Sequence, residues 1–124
     1  MIEYTVKVDA NGNKEWYLND KLHREDGPAV EQTNGIKMWY KNGQKHRADG
    51  PAVEDADGNK LWYLNGEYHR EDGPAIEYSD GNKLWFLNGE ELTEQEFNKR
   101  TQVQELTIEQ IEHELGYKIK VVGE

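Results

Sequence analysis

Four tryptophans stand at a constant step of 23 residues, at Trp16, Trp39, Trp62 and Trp85. The unit between them reads W-Y-x-N-G-x-x-H-R-x-D-G-P-A-V/I-E, continues through an Asn/Asp-Gly pair to the next Lys-x-Trp, and occurs about three and a half times. Repetition at a fixed step means that each copy is one supersecondary unit, which buries its apolar side only by stacking on its neighbours. The period therefore predicts an elongated repeat array.

Two turn signals alternate within each unit. The first follows the aromatic residues and is typical of a two-residue type I′ hairpin, whereas the second precedes Lys-x-Trp. The first set is Asn19-Asp20, Asn42-Gly43, Asn65-Gly66 and Asn88-Gly89, and the second is Asn11-Gly12, Asn34-Gly35, Asp57-Gly58 and Asp80-Gly81. The short aromatic and aliphatic segments between the turns predict strands in an antiparallel meander, about two per repeat. Because proline lacks an amide donor, we expect Pro28, Pro51 and Pro74 to mark the first residue of a strand or a bulge.

Alternation along each strand divides the aromatic residues between two faces. We expect the tryptophans to point inward, together with Ala29/Val30, Ala52/Val53 and Ala75/Ile76. We expect a second, partly exposed column, formed by Tyr17, Tyr40, Tyr63 and Phe86. In the alternative arrangement both columns are structural.

The third unit, from Trp62 to Asn82, reads WYLNGEYHREDGPAIEYSDGN. It resembles the membrane-occupation-and-recognition-nexus (MORN) repeat in its 23-residue step, its Trp-x-x-Asn-Gly, its central glycine and its Asp-Gly ending, over roughly residues 11–92. It differs in the middle, where His-Arg-x-Asp-Gly-Pro-Ala replaces the usual Gly-x-Gly, and there it is similar to divergent bacterial and bacteriophage variants. The resemblance implies a twisted antiparallel sheet of stacked hairpins used for protein interaction or self-association.

After the last half repeat the hydrophobic period changes from 2 to 3.6. We predict a mainly β fold, an antiparallel meander of stacked β-hairpin repeats in a single elongated sheet over residues 1–92. A small C-terminal α/β cap of two short helices and a final strand is predicted over residues 93–124, where it covers the open edge of the last repeat. At the other end, Ile2 to Val8 alternates and predicts the first strand.

Capping signals locate the two helices, at roughly 94–102 and 108–115. Thr93 is the predicted N-cap of the first, with Glu96 completing a capping box and with Leu92 and Phe97 as a hydrophobic staple. The second helix has the same capping box and hydrophobic staple over residues 106–111 and ends at Gly116. Residues 117–122 then alternate and predict a strand.

Composition narrows the classes of function. The formal net charge of −10 argues against a nucleic-acid binder and against contact with anionic membranes, and favours a partner with a basic surface. Without cysteine, a signal peptide or a long apolar run, the chain is predicted to be cytoplasmic, in the host cell if phage-encoded.

Histidine, arginine and aspartate recur in register as His-Arg-x-Asp. The sites of this motif are His23-Arg24-Glu25-Asp26, His46-Arg47-Ala48-Asp49 and His69-Arg70-Glu71-Asp72. Equivalent residues two strands apart are separated by about 10 Å, too far to share one zinc ion. We therefore expect structural roles, with Asp accepting turn amides or holding the imidazole and Arg pairing with a carboxylate. No phosphate loop and no activated nucleophile is recognisable, so we predict no catalytic residue, no metal, no cofactor and no enzyme activity.

The leading functional prediction is a non-enzymatic protein-binding module, of the type of a phage or prophage inhibitor of a host defence or nucleic-acid enzyme. Its predicted partner-binding residues are Tyr17, Tyr40, Tyr63, Tyr68, Arg24, Arg47, Arg70, Glu105, Glu109 and Glu112. One alternative is a nucleotide-binding or sequestering protein, with bases on the tyrosines and phosphates on the arginines. Another is a structural, self-assembling protein, with a homodimer formed through the N-terminal edge strand.

Overall fold

The computed structural model describes residues 2–102 and 108–116, within which the chain forms fourteen strands followed by two helices. The strands are β1 (Thr5–Val8), β2 (Lys14–Leu18), β3 (Lys21–Leu22), β4 (Val30–Glu31), β5 (Lys37–Met38), β6 (Tyr40–Lys41), β7 (Gln44–Lys45), β8 (Val53–Glu54), β9 (Lys60–Leu61), β10 (Tyr63–Leu64), β11 (Glu67–Tyr68), β12 (Ile76–Glu77), β13 (Lys83–Leu87) and β14 (Glu90–Leu92); the helices are α1 (Glu94–Thr101) and α2 (Ile108–Leu115). The fold is mainly β, as the repeat predicts.

The strands follow one another through space in chain order. The main sheet has the order β1-β2-β4-β5-β8-β9-β12-β13-β14, with β3 also pairing with β2, and the pairs β6-β7 and β10-β11 form separate two-stranded ribbons. Every pair is antiparallel. The predicted antiparallel meander is confirmed.

Each central tryptophan lies at a break between two short strands. Trp39 separates β5, which pairs with β4 and β8, from β6, which pairs with β7. The Trp39 amide donates to the Ala52 carbonyl at 2.7 Å, and the Trp39 carbonyl accepts from the His46 amide at 3.0 Å. Trp62 repeats this arrangement between β9 and β10. The segment thus changes partners at its tryptophan, so a central repeat contributes more strands than the two expected.

The two Asn/Asp-Gly signals form different turns. At the first, both central residues have positive φ, 50° at Asn42 and 82° at Gly43, which confirms the type I′ hairpin. At the second, only the glycine has positive φ, 95° at Gly35, and the Gly35 amide donates to the Gln32 carbonyl at 3.0 Å. This second hairpin is a three-residue loop closed by a left-handed glycine. A Cβ on Gly35 would also lie 2.8 Å from the Cβ of Ala56, so glycine lets this turn stack on the next one.

Strand register divides the side chains of the main sheet into two rows, since directly opposite residues project to the same face. One row is almost entirely aliphatic: Glu15, Val30, Met38, Val53, Leu61, Ile76 and Leu84. The other alternates in charge at every step: Lys14, Glu31, Lys37, Glu54, Lys60, Glu77 and Lys83. The repeated Val/Ile-Glu and Lys-x sequences therefore encode one apolar row and one charge-compensated row.

This register corrects the expected face assignment. The Trp16 amide bonds to the Ala29 carbonyl, whereas Val30 lies opposite Glu15, so Ala29 and Val30 are on different faces. Ala29 and its equivalents in the next two repeats are fully buried beside the tryptophans, which are themselves half-buried. The prediction that alanine and the following valine or isoleucine both fill the tryptophan side is wrong, because the register sets Ala29 beside Trp16 but Val30 opposite Glu15, the preceding residue of β2.

The prolines were expected at the first residue of a strand or in a bulge. Pro28 instead lies two residues before β4, in the irregular segment that follows the His-Arg pair. Pro51 and Pro74 occupy the equivalent positions before β8 and β12. All three positions lie just outside the strands, so the expectation of a first strand residue is wrong by two residues.

The C-terminal segment begins with α1, which contacts β13 and β14. The Thr93 hydroxyl oxygen accepts from the Glu96 amide at 3.1 Å, which confirms the predicted N-cap, and Leu92 and Phe97 are both buried. Helix α2 agrees with the predicted range 108–115. The capping residues predicted before it and the strand at 117–122 lie outside the described residues. The N-terminal strand is shorter than expected and begins at Thr5.

Candidate partner-binding surface

A continuous row of aromatic and long side chains crosses the second halves of the repeats. It comprises Tyr17, Leu22, Tyr40, Lys45, Tyr63, Tyr68, Phe86 and Glu91, paired within each hairpin by the type I′ turns. Neighbouring hairpins are linked by backbone hydrogen bonds, such as that from the Arg24 amide to the Tyr40 carbonyl. We call this set the tyrosine row.

Ring contacts hold the tyrosine row together. The rings of Tyr63 and Tyr68 stack with centroids 4.4 Å apart, and the Tyr68 and Phe86 rings are 4.9 Å apart. The Lys45 ammonium lies over the Tyr63 ring at 5.2 Å from its centroid, and that of Lys7, on β1, lies over Tyr17 at 4.5 Å. These contacts fix the side chains in one geometry before any partner arrives, which lowers the entropic cost of binding.

Three tyrosines of the row have a raised pKa. Burial, then a hydrogen bond to Glu15, raises the pKa of Tyr17, and burial followed by the charge of Glu15 raises the pKa of Tyr40. The pKa of Tyr63 is raised by burial and by the neighbouring Tyr68. All three rings are half-buried, so the row offers apolar ring surface and neutral hydroxyls to a partner.

The predicted arginines lie elsewhere, on the tryptophan side of the sheet. Each guanidinium carbon lies 3.9 to 4.0 Å from the centroid of a tryptophan ring: Arg24 over Trp16, Arg47 over Trp39 and Arg70 over Trp62. Since Trp16 and Tyr17 are consecutive residues of the regular strand β2, the arginine layer and the tyrosine row are on opposite faces.

Hydrogen bonds fix each arginine within its own repeat. Arg70 Nε donates to Asp72 at 2.8 Å, and Arg70 Nη1 donates to the Pro74 carbonyl and to Glu77, both at 3.1 Å. Arg24 and Arg47 make the same three bonds. The hydrogen bond from Arg70 lowers the pKa of Asp72. The expectation that arginine pairs with a carboxylate is confirmed, and these arginines hold the repeat together.

The histidines connect successive repeats. The Nδ1 atom of His23 accepts from the Asn42 amide at 2.9 Å, and His46 and His69 accept in the same way from the type I′ turns of their following repeats. Because Nδ1 accepts, the ring proton is on Nε2, which in His23 lies 3.4 Å from Glu25. The expectation that aspartate holds the imidazole or the turn amides is wrong, since the aspartates bind arginine.

Two equivalent open clefts lie between successive His-Arg-x-Asp-Gly-Pro loops. The first, of about 780 Å³, has Trp39 and Lys41 among its lining residues, and the second, of about 650 Å³, has Trp62 and Leu64 at the same positions. Their charged groups are mostly the arginines and aspartates that already bind one another. The clefts therefore follow from the repeat itself. They differ at Lys41, which Leu64 replaces in the second cleft, and in the loop that carries a glutamate, Glu25 in the first cleft and Glu71 in the second.

The acidic residues predicted to bind a partner belong to the C-terminal segment. Glu109 is exposed and Glu112 is half-buried on α2, whereas Glu105 lies outside the described residues. Sequence reasoning missed Lys45 as part of the tyrosine row and Lys7 as the cation that lies over Tyr17. The hairpin turn at Asn42-Gly43 could have revealed Lys45, because it sets that residue opposite Tyr40.

Comparisons with known proteins add no relative: family models, curated proteins and solved structures all give no significant match. Over the described residues, no helix is long and apolar enough to cross a membrane. In the same part of the chain, no three histidine, cysteine or acidic side chains are grouped closely enough to hold a metal ion.

Proposed function

We propose that this chain is a non-enzymatic binding module of MORN-like repeats whose tyrosine row contacts a protein partner. One observation carries the proposal: half-exposed tyrosine rings recur at the same position of successive repeats, and those of Tyr63 and Tyr68 are fixed by stacking on each other, with Phe86 against Tyr68. The arginines and histidines, by contrast, are bound to other parts of the sheet.

The chemistry of the row is that of protein interfaces. Tyrosine is enriched among the residues that dominate binding energy, because it buries a large rigid ring and keeps a hydroxyl for hydrogen bonding. The net charge of −10 would draw in a basic partner over long range, while the row would supply the contact energy. Within this proposal, the acidic character and the resemblance to bacteriophage variants support an inhibitor of a host defence or nucleic-acid enzyme that presents a basic groove.

A protein partner is favoured over a nucleotide by the positions of the side chains. In a nucleotide site of this kind, the base would stack on Tyr17 and the phosphate would bind Arg24. Tyr17 lies on one face of the sheet and the Arg24 guanidinium lies on the other. The same holds for the equivalent residues of the next two repeats, so the two halves of a nucleotide site are not brought together.

The test is affinity capture from bacterial lysate with row variants and a matched control. Tyr40→Ala and Tyr63→Ala remove rings from the row, whereas Tyr78→Ala removes an exposed ring in a turn outside it. We expect a partner retained by the wild type and by Tyr78→Ala, with affinity for the purified partner about tenfold or more lower in each row variant. Tyr63→Phe separates ring from hydroxyl, since Phe86 shows that the position accepts phenylalanine.

Circular dichroism melting of each variant shows whether lost capture reflects lost folding. Equal capture by Tyr40→Ala and the wild type would refute the row as the binding surface. A thermal shift with nucleotides that Tyr40→Ala and Arg47→Met both abolish would favour the small-ligand function instead.

A further inference from the structure

The outer edge of β1 is unpaired within the part of the chain that the structure describes. The Asp9 amide donates to the Asn13 carbonyl at 3.1 Å, so the backbone of odd-numbered residues points toward β2 and that of Val6 and Val8 points away from it. Among the described strands, β1 pairs with β2 alone. An unpaired edge of this kind is a template for another strand.

The side chains along this edge are unusually apolar. Ile2, Val6 and Val8 are exposed to 42%, 44% and 59%, and they account for three of the four large hydrophobic residues that the described part of the chain exposes to such a degree. Alternation places all three on one face of the strand. Exposed apolar side chains concentrated at one free edge indicate a surface that becomes covered.

The segment Ile2–Val8 is complementary to itself when it runs antiparallel to a second copy about Thr5. The pairs are Ile2 with Val8, Glu3 with Lys7, Tyr4 with Val6 and Thr5 with its own copy. On one face every pair is apolar, and on the other each glutamate meets a lysine, which are the pairings that stabilise antiparallel sheets. A twofold axis requires this kind of self-complementarity, because each residue must match its partner in both directions.

We propose that two copies of the chain dimerise through their β1 edges, with Thr5 on the twofold axis, to form one continuous sheet. The outward backbone groups of Tyr4 and Val6 exchange hydrogen bonds across the axis. Residues 2–4, which form no strand in the single chain, become strand residues opposite 6–8 of the other copy. The interface is a single strand from each chain, at the small end of specific interfaces, so the expected state is a concentration-dependent monomer–dimer equilibrium.

A second β1 fits this edge better than the strand at the opposite end of the sheet does. β14 is three residues long and carries Glu90 and Glu91, and Glu90 is already bound by Arg100 of α1 at 3.1 Å. Pairing of β1 with β14 would also be head-to-tail and would produce open chains instead of a closed dimer.

Charge reversal tests the register directly, by sedimentation velocity over a range of concentrations. Glu3→Lys alone places the new lysine against Lys7 of the other copy, and Lys7→Glu alone places two glutamates together, so each variant should dimerise about tenfold more weakly than the wild type. An equimolar mixture of the two variants should dimerise as well as the wild type. In that heterodimer, both cross-strand pairs again join opposite charges.

The control matched to Glu3→Lys is Glu67→Lys, which makes the same change in net charge as Glu3→Lys at an exposed hairpin position where the first repeat has Lys21. It should dimerise like the wild type or, since net repulsion falls, slightly better. Amide exchange at residues 2–8 should slow as the concentration of the wild type rises.

Three results would overturn the proposal. The first is a wild type that stays monomeric at every concentration, and the second is a mixture no more associated than the single variants. The third is the formation of assemblies larger than dimers, which would indicate head-to-tail pairing of β1 with β14.

Discussion

The guanidinium carbon of Arg70 lies 3.9 Å from the centre of the Trp62 ring and so close to Gly73 that a Cβ there would come within 2.9 Å of it. This single contact accounts for most of the repeat motif. Arg70 covers the half-buried Trp62. Asp72 and the Pro74 carbonyl, which follow it in the chain, accept hydrogen bonds from its guanidinium. The motif is therefore a structural unit, copied in three repeats.

Arg70→Met keeps the apolar stem over Trp62 but removes the charge and the three hydrogen bonds. The side chain is only 20% exposed, so these bonds are poorly replaced by water. We expect the free energy of unfolding in urea to fall by about 1–3 kcal/mol. Arg100→Met is the control, because its ion pair with Glu90 is exposed to water at both partners, so its loss should lower the free energy of unfolding much less. Equal losses in the two variants would contradict a special role for the stacked arginine.

Gly73→Ala tests the close approach of arginine to the loop. A Cβ at residue 73 would lie 2.9 Å from Arg70 Cζ, so the guanidinium must shift from its place over the ring. The free energy of unfolding should fall, but by less than in Arg70→Met, because the end of the arginine side chain can move aside. In the Arg70→Met background the same substitution should cost less than about 0.5 kcal/mol, because the atom it displaces is gone. Additive losses in this double-mutant cycle would show that residue 73 acts independently of Arg70.

How far the sequence predicts this fold can be seen at single residues. The turn at Asn42-Gly43 and the cap at Thr93 are local, since a few neighbouring residues determine them, and both are confirmed. The bond from the Asn65 amide to His46 joins residues 19 apart and uses a backbone donor that no residue pattern marks. The faces of Ala29 and Val30 depended on strand register, which repeat spacing alone leaves open.

The candidate surface was predictable in part for the same reason. The tyrosines were recognised from their period, and their half-exposed positions agree with the expected second column. The arginines share that period, but Arg47 is drawn to the opposite face by Trp39, Asp49 and the Pro51 carbonyl. A shared period therefore identifies repeated residues without showing whether they serve the fold or a partner.

Asp20→Gly should stabilise the protein. Asp20 has a φ of 64° in the first type I′ turn, where the three later repeats have glycine. Removing Cβ relieves the left-handed strain, with a net gain of about 0.5–1 kcal/mol after the greater freedom of the unfolded chain is subtracted. The reciprocal change, Gly43→Asp, should lower stability by a similar amount. The loss should be no larger, because the added Cβ would make only ordinary contacts with Lys21. Thermal melting measures both, and shifts of the same sign would refute the argument.

His46 makes the free energy of unfolding depend on pH. A residue taken from the equivalent position of the other repeats should change that dependence. Burial, and then the positive charge of Lys41, lowers the pKa of His46 below its ordinary value of 6.5. The folded chain therefore binds fewer protons than the unfolded chain just below pH 6.5. The contribution of neutral His46 is present above that pH and is lost as the pH falls through the folded-state pKa, where a proton on Nδ1 competes with the Asn65 amide.

Ala48→Glu supplies the carboxylate that Glu25 and Glu71 place 3.4 Å from the equivalent histidines. The new charge favours the imidazolium, so the pKa of His46, measured by NMR titration, should rise toward or above 6.5. The difference in unfolding free energy between pH 7.5 and pH 5.5, about one unit either side of a free histidine's pKa, should shrink relative to the wild type. Ala48→Gln adds similar bulk without charge and should leave the titration where it is. If glutamine raises the pKa as much as glutamate does, a hydrogen bond from the imidazole to the new side chain, and not its charge, sets the protonation of His46.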